Sequence, residues 1–243
     1  MSIAEKLTTI AENEQKVFDA GKKKSYDEFE DNYTESGTQT VCDYMYAGRG
    51  WNANTFKPKN KLTPTSAHRM FAYHNRQANW NYPEYDLPTD MFDFSKVTDA
   101  SYMFQNARLV TVDVDLSSAT NLDYCFNGAN GGRIRHLFVK IISKANFIST
   151  FTYLTQLQTF RLKEGSVIQH NYFDIRQSTK LDKESFVSIV NALSTSTSGY
   201  SVHLSLEAVN KAFETSSGAN DGSTSAEWLV LVGTRSNWTI SLV

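Results

Sequence analysis

A short aromatic-centred step recurs through the middle of this chain and constrains its fold more than any other feature. The copies are Tyr44-Met45-Tyr46, Arg69-Met70-Phe71, Tyr102-Met103-Phe104, Tyr124-Cys125-Phe126 and Ser149-Thr150-Phe151. Their third members stand 25, 33, 22 and 25 residues apart. Two neighbouring copies, Ser95 to Phe104 and Ser117 to Phe126, align without a gap. After the step comes a second block with apolar residues at its first, fourth and sixth places: Leu109, Val112 and Val114; Ile134, Leu137 and Val139; Leu157, Phe160 and Leu162. The last two members alternate as in a strand, and the first turns the chain inward. A unit of this length cannot bury its apolar side alone, so successive units must stack. The expectation is an α/β protein in which the short strands form a parallel sheet and the aromatic steps fill the interior behind it. That assigns a structural role to an aromatic content of 13%, without a cofactor or a carbohydrate platform.

Stacked in register, the strands would line up four outward columns: Val110, Arg135 and Gln158; Thr111, His136 and Thr159; Asp113, Phe138 and Arg161; Asp115, Lys140 and Lys163. With strands about 4.8 Å apart, these side chains make one continuous face. One reading is a solvated surface laced by Asp–Lys pairs. The other is a contact surface centred on Phe138 and Arg161, with Arg135, His136 and Asp113 around them, because aromatics and arginine are the usual interface anchors.

The two ends differ from the middle. Residues 2–20 read as an amphipathic helix opened by a Ser2/Glu5 capping box, with Ile3, Leu7, Ile10 and Val17 on a coiled-coil-like seam. Glu14 interrupts the seam and Gly21 ends it. A second helical stretch, 22–33, places Tyr26, Phe29 and Tyr33 on one face. So short a helix is marginal alone in water, so it should pack on its own domain, self-associate or dock on another protein. At the other end, Leu181–Leu193 is a strongly amphipathic helix, followed by a Ser/Thr loop (194–199) and a strand at Tyr200–Leu204. A helix at 205–214, a flexible stretch from Thr215 to Thr224, a helical turn near Ala226–Leu231 and a strand at Trp238–Val243 complete it. The repeat fades after residue 165, and this region reads as the cap of the last open core. The divisions are therefore 1–34 for attachment or oligomerisation, 35–165 for the repeats and 166–243 for the cap.

Little in the chain points to catalysis. Lys and Arg number 24 against 26 Asp and Glu, a net charge of −2, which gives no basic field for nucleic acid. No uncharged apolar run approaches a membrane span, so no membrane insertion is expected. The opening segment lacks the apolar core and cleavage site of a secretory leader. Phosphate-loop, dinucleotide, zinc-protease and hydrolase-elbow motifs are absent from the sequence. Gly48-Arg49-Gly50 and the glycines from Gly128 to Gly132 lack the lysine and helix start of a phosphate loop and read as turns. The five histidines are scattered, and Cys42 and Cys125 sit inside the repeat as small apolar residues. Asp113 and Asp115 alternate on one strand and read as a salt-bridging pair. The expectation is no enzyme, with no catalytic residue, cofactor or metal.

The S-x-V-T-x-A-x-Y-M-F segment ending at Phe104 and the N-L-x-Y-C-F segment ending at Phe126 resemble BspA-type leucine-rich repeats, over roughly residues 41–165. The usual asparagine of that unit is present at Asn121 but is Asp99 in the preceding copy. The segment around Leu181–Leu193 resembles the C-terminal cap of repeat proteins encoded by phages and prophages of gut bacteria, and the opening residues 1–17 resemble a leader shared by that group. The resemblance implies an irregular leucine-rich-repeat solenoid. It also implies a non-enzymatic, tail-associated virion protein, made in the bacterial cytoplasm without a signal peptide. Its partners would be other virion proteins or a host-surface protein or glycan, with self-association through the N-terminal helix. The alternatives are a capsid or neck decoration protein, a bacterial adhesin, or an intracellular protein-interaction module.

Overall fold

The computed structural model describes residues 42, 61–73, 86–129, 132–143, 147–215 and 221–243. The helices expected at 2–20 and 22–33, with Ile3, Leu7, Ile10 and Val17, lie outside the described residues. So do the first aromatic step, Tyr44 to Tyr46, and the Gly48–Gly50 cluster.

Among the described residues the chain forms eight short strands and three helices. The strands are β1 (Thr111–Asp115), β2 (His136–Lys140), β3 (Ile142–Ser143), β4 (Thr159–Leu162), β5 (Val167–Ile168), β6 (Phe173–Asp174), β7 (Tyr200–Leu204) and β8 (Trp238–Leu242). The helices are α1 (Lys183–Ala192), α2 (Leu206–Ala212) and α3 (Ala226–Gly233), with a 3-10 turn at Gly222–Thr224. Three small parallel sheets result, ordered β1-β2-β4, β3-β5 and β6-β7-β8.

The aromatic steps stack. Phe71, Phe104, Phe126 and Phe151 form a column of nearly parallel rings, with centroids 5.3, 5.4 and 5.4 Å apart and interplanar angles of 4°, 9° and 6°. Each ring is at most 1% exposed. The spacing is close to the separation of neighbouring strands, so one ring is contributed per chain turn. The backbone follows the same rule. Arg69, Phe71 and Tyr73 donate their amides to Ser101, Met103 and Gln105 of the next turn. Tyr102, Phe104 and Asn106 donate to Asp123, Cys125 and Asn127, and Tyr124, Phe126 and Gly128 to Ile148, Thr150 and Thr152. Every second amide is thereby satisfied by the neighbouring unit.

The turn itself is strained. Arg69, Tyr102, Tyr124 and Ser149 have φ between 52° and 58°, in the left-handed region. Met70, Met103 and Cys125 close the turns back onto Ala67, Ala100 and Leu122. A side chain in this conformation costs about 1–2 kcal/mol, which the bonds between turns offset. The turn starts from Asx geometry. Asn121 Oδ1 accepts the Asp123 amide at 3.1 Å, and Asp99 Oδ1 accepts the Ser101 amide at 3.0 Å. Asp99 and Asn121 pair as a parallel bridge, so the exchange of one for the other keeps the single acceptor that the turn uses.

Gly128 is fixed by a close approach: a Cβ there would lie 2.5 Å from the Tyr153 carbonyl oxygen. Cys42 and Cys125 are free and buried, as expected of small apolar residues, and burial pushes the Cys125 thiol well above its ordinary range.

Past residue 165, where the repeat motif fades, parallel pairing continues through β6, β7 and β8 to Leu242, within one core that runs from Cys42 to Trp238. The motif fades because α1, α2 and α3 lengthen the crossovers that parallel strands require. The stretch from Thr215 to Thr224 is also more ordered than a flexible linker where it is described. Thr215 Oγ1 donates to Asp221 Oδ2 at 2.7 Å, and Ser223 donates its amide to Asn210 Oδ1 at 3.0 Å.

Candidate functional site

The β1-β2-β4 sheet is the one regular face the sequence places outward. Its register pairs Thr111 with His136 and Thr159, Asp113 with Phe138 and Arg161, and Asp115 with Lys140. Val112, Leu137 and Phe160 are fully buried on the opposite side. Backbone bonds from Arg135 to Val110 and from Gln158 to Arg135 carry the alignment one residue before the strands. The columns expected from the sequence are therefore those observed.

Asp113 pairs with Lys163 and Asp115 with Lys140, the latter at 3.9 Å. The first pair spans β2, because Asp113 is on β1 and Lys163 directly follows β4. Phe138 is half-buried in the middle of this charged surface, with His136 and Arg135, also half-buried, towards the start of its strand.

Arg161 does not project alone from this face. Its Nη1 and Nη2 each donate to one oxygen of Asp182 at 2.8 Å, and Nη1 also donates to Ser185 Oγ at 2.7 Å. Glu184 adds a second carboxylate at 3.8 Å. Partial burial works to raise the Asp182 carboxyl, but the Arg161 guanidinium and the Ser185 hydroxyl and amide outweigh it and hold it below its ordinary value. Asp182 is also the N-cap of α1, accepting the Ser185 amide at 2.9 Å. Arg161 therefore fastens the sheet to α1, and reading it as an anchor for a partner has to be set against that bond.

The same helix closes the open edge of β4. Ser185 Oγ accepts the buried Phe160 amide at 2.9 Å, and Ser188 Oγ accepts the Leu162 amide at 2.8 Å. Where a further strand would supply carbonyl oxygens, two hydroxyls at helical spacing do so. Sequence reasoning missed this role. The available signal was Asp182 followed by Ser185 and Ser188 at the head of an amphipathic helix.

A second polar row lies on the β6-β7-β8 sheet, where Asp174, His203 and Ser241 stand in register. The residue types are those of a nucleophile relay, but the connections differ. Asp174 is held by Arg176, through its side chain at 3.0 Å and its amide at 3.2 Å. His203 packs against Tyr172 at 4.5 Å between centroids, and no hydrogen bond joins it to Asp174 or Ser241. Among the described residues no group of His, Cys, Asp or Glu could hold a metal ion, and no helix is long and apolar enough to cross a membrane.

Comparisons with models of protein families, with curated proteins and with solved structures find no match to this chain.

Proposed function

We propose that this chain is a non-enzymatic phage virion protein, tail-associated, built as an irregular leucine-rich-repeat solenoid. It attaches through the helix expected at 2–20 and holds a host-surface protein or glycan, or a neighbouring virion protein, on the β1-β2-β4 face. The repeat and cap resemblances support the class. The observation that carries the binding role is Phe138. It is an aromatic side chain in a column whose other members are Asp113 and Arg161, on the central strand β2, which is paired on both sides. A half-buried aromatic ringed by charge is the composition of an interface centre.

The test is direct. Phe138→Ser, a change outside the closed core, should leave the melting temperature within a few degrees of wild type and lower binding of the purified protein to host cells at least tenfold. Mass spectrometry of purified particles should find the chain among their proteins. Undiminished cell binding by the variant moves the contact elsewhere on the chain, and absence from particles removes the virion assignment.

A further inference from the structure

The corner residues of the repeat form a second column, half-buried where the phenylalanine stack is closed. Its members are Arg69, Tyr102, Tyr124 and Ser149, which share the left-handed backbone. The amides of Arg69, Tyr102 and Tyr124 donate to the carbonyls of Ser101, Asp123 and Ile148, in each case the residue just before the next member. The register therefore places Ser149 one rise beyond Tyr124. The first three members stack as flat groups. The Arg69 guanidinium lies 4.6 Å from the centroid of the Tyr102 ring, and the Tyr102 and Tyr124 rings are 4.9 Å apart at 7°. With Tyr102 on one face of Tyr124, the other face points along the column towards Ser149, whose side chain ends at a hydroxyl. Among the described residues no ring or cation covers that face.

Two acceptors stand at the same place. Asp123, the neighbour of Tyr124, uses Oδ1 to accept the Ile148 amide at 2.7 Å, and its Oδ2 has no bond or ion pair among the described residues. The Ser149 hydroxyl has none among them either. Asp123 and Ser149 are half-buried and Ile148 is 58% exposed, so solvent reaches all three. The face of a tyrosine ring is negative. A ring face, a carboxylate and a hydroxyl together suit a flat cation rich in N–H donors. The chain itself shows half of this arrangement at the head of the column, where Arg69 lies on Tyr102.

We infer that Tyr124, Asp123 and Ser149 form a socket for the guanidinium of an arginine presented by a partner protein. The guanidinium lies on the uncovered face of Tyr124 as Arg69 lies on Tyr102, and donates to Asp123 and Ser149. A lysine brings the charge without the flat surface. A phenylalanine from a partner would cover the ring but leave the Asp123 carboxylate without a countercharge, which is costly once the contact excludes water. The inference goes beyond the contact at Phe138 and does not need it. Phe138 stands on β2, whereas the socket lies at the corner where the chain turns.

The probe is N-acetyl-arginine amide, titrated into the full-length protein and followed by the NMR shifts of backbone amides. N-acetyl-citrulline amide serves as the uncharged analogue of the same shape, and methyl glucoside as a sugar. The arginine probe should shift the amides of Asp123, Tyr124 and Ser149 saturably, and the other two should leave them in place. Asp123→Asn keeps the oxygen that accepts the Ile148 amide, so it should weaken binding at least about fivefold with the melting temperature within a few degrees of wild type. Ser149→Tyr lays the chain's own ring on Tyr124 and should abolish binding. If that variant fails to fold, Asp123→Asn and the citrulline comparison decide. Phe138→Ser should bind the probe as wild type does, so that failure of the sheet contact and failure of the socket are read separately. Absence of shifts at the three amides, equal binding of the citrulline analogue, or binding of the glucoside alone would each overturn the socket. Undiminished binding by Asp123→Asn, or by a folded Ser149→Tyr, would overturn it too.

Discussion

Removing one ring from the phenylalanine column tests whether the stack carries the fold. Phe126 is fully buried, with Phe104 on one face at 5.4 Å and Phe151 on the other at 5.4 Å. Truncating a buried phenylalanine to alanine costs about 3–5 kcal/mol, as lost transfer energy plus the cavity that remains. The upper half of that range applies here. Both neighbouring rings are held by their own turns, whose backbone is bonded on either side of the gap, so collapse is restricted. For a chain of this size each kcal/mol moves the melting temperature by about 2–4 °C, which puts the loss at about 8–20 °C. The assay is a thermal melt of the full chain by far-ultraviolet circular dichroism, with Phe126→Leu as a milder control that keeps most of the volume. Because the rings touch, Phe104→Ala and Phe126→Ala combined should depart from additivity by more than about 0.5 kcal/mol. A Phe126→Ala melt within about 3 °C of wild type would refute the stacked register.

Two other substitutions probe the junction between the sheet and α1. The Asp182 carboxyl is held below its unfolded value of about 3.9, so its contribution is fully present above that pH and fades as the pH falls through the folded value. The stability gap between wild type and Asp182→Asn should therefore be constant from about pH 7 to 5 and narrow as the pH falls below about 4 in denaturant melts; a gap that widens on acidification contradicts the assignment. Ser185→Ala leaves the buried Phe160 amide without its acceptor and should cost about 1–3 kcal/mol. Ser188→Ala, which serves the less buried Leu162, should cost less, and equal midpoints for the two variants would show that the hydroxyls do not close the edge.

The repeat was legible because its physical demands fall on residue type. Only an apolar residue fits the columns of Val112, Leu137 and Phe160, and only a large ring fits at Phe71, Phe104 and Phe126, so spacing alone exposed the strands and their register. The helix at α1 was legible for the same reason, with Phe186, Ile189 and Val190 on one buried face. The binding role given to Phe138, by contrast, comes from composition and awaits its test. The commitment of Arg161 could not be read, because its partner Asp182 is 21 residues away and opposite an equally plausible solvent-facing position. The strands β3, β5 and β6 were also illegible. Each is two residues long, too short for alternation to be seen, and exists only because a neighbouring turn presents its backbone. The left-handed Tyr102 and Tyr124 likewise leave no mark in composition, since glycine or asparagine would be the residues to expect there.

The phenylalanine column also bears on how chains of this kind can diversify. Phe71 and Phe104 are 33 residues apart and Phe104 and Phe126 only 22, yet their rings are 5.3 and 5.4 Å apart. The difference in unit length therefore leaves the rise per turn unaltered. Insertion and deletion are then nearly free of consequence for the interior, provided they fall in the connection between one aromatic step and the next strand. A lineage can lengthen, shorten or exchange that connection, or an engineer can graft a foreign peptide into it, while every ring keeps its neighbours. The surface can thus change quickly over an interior that stays the same.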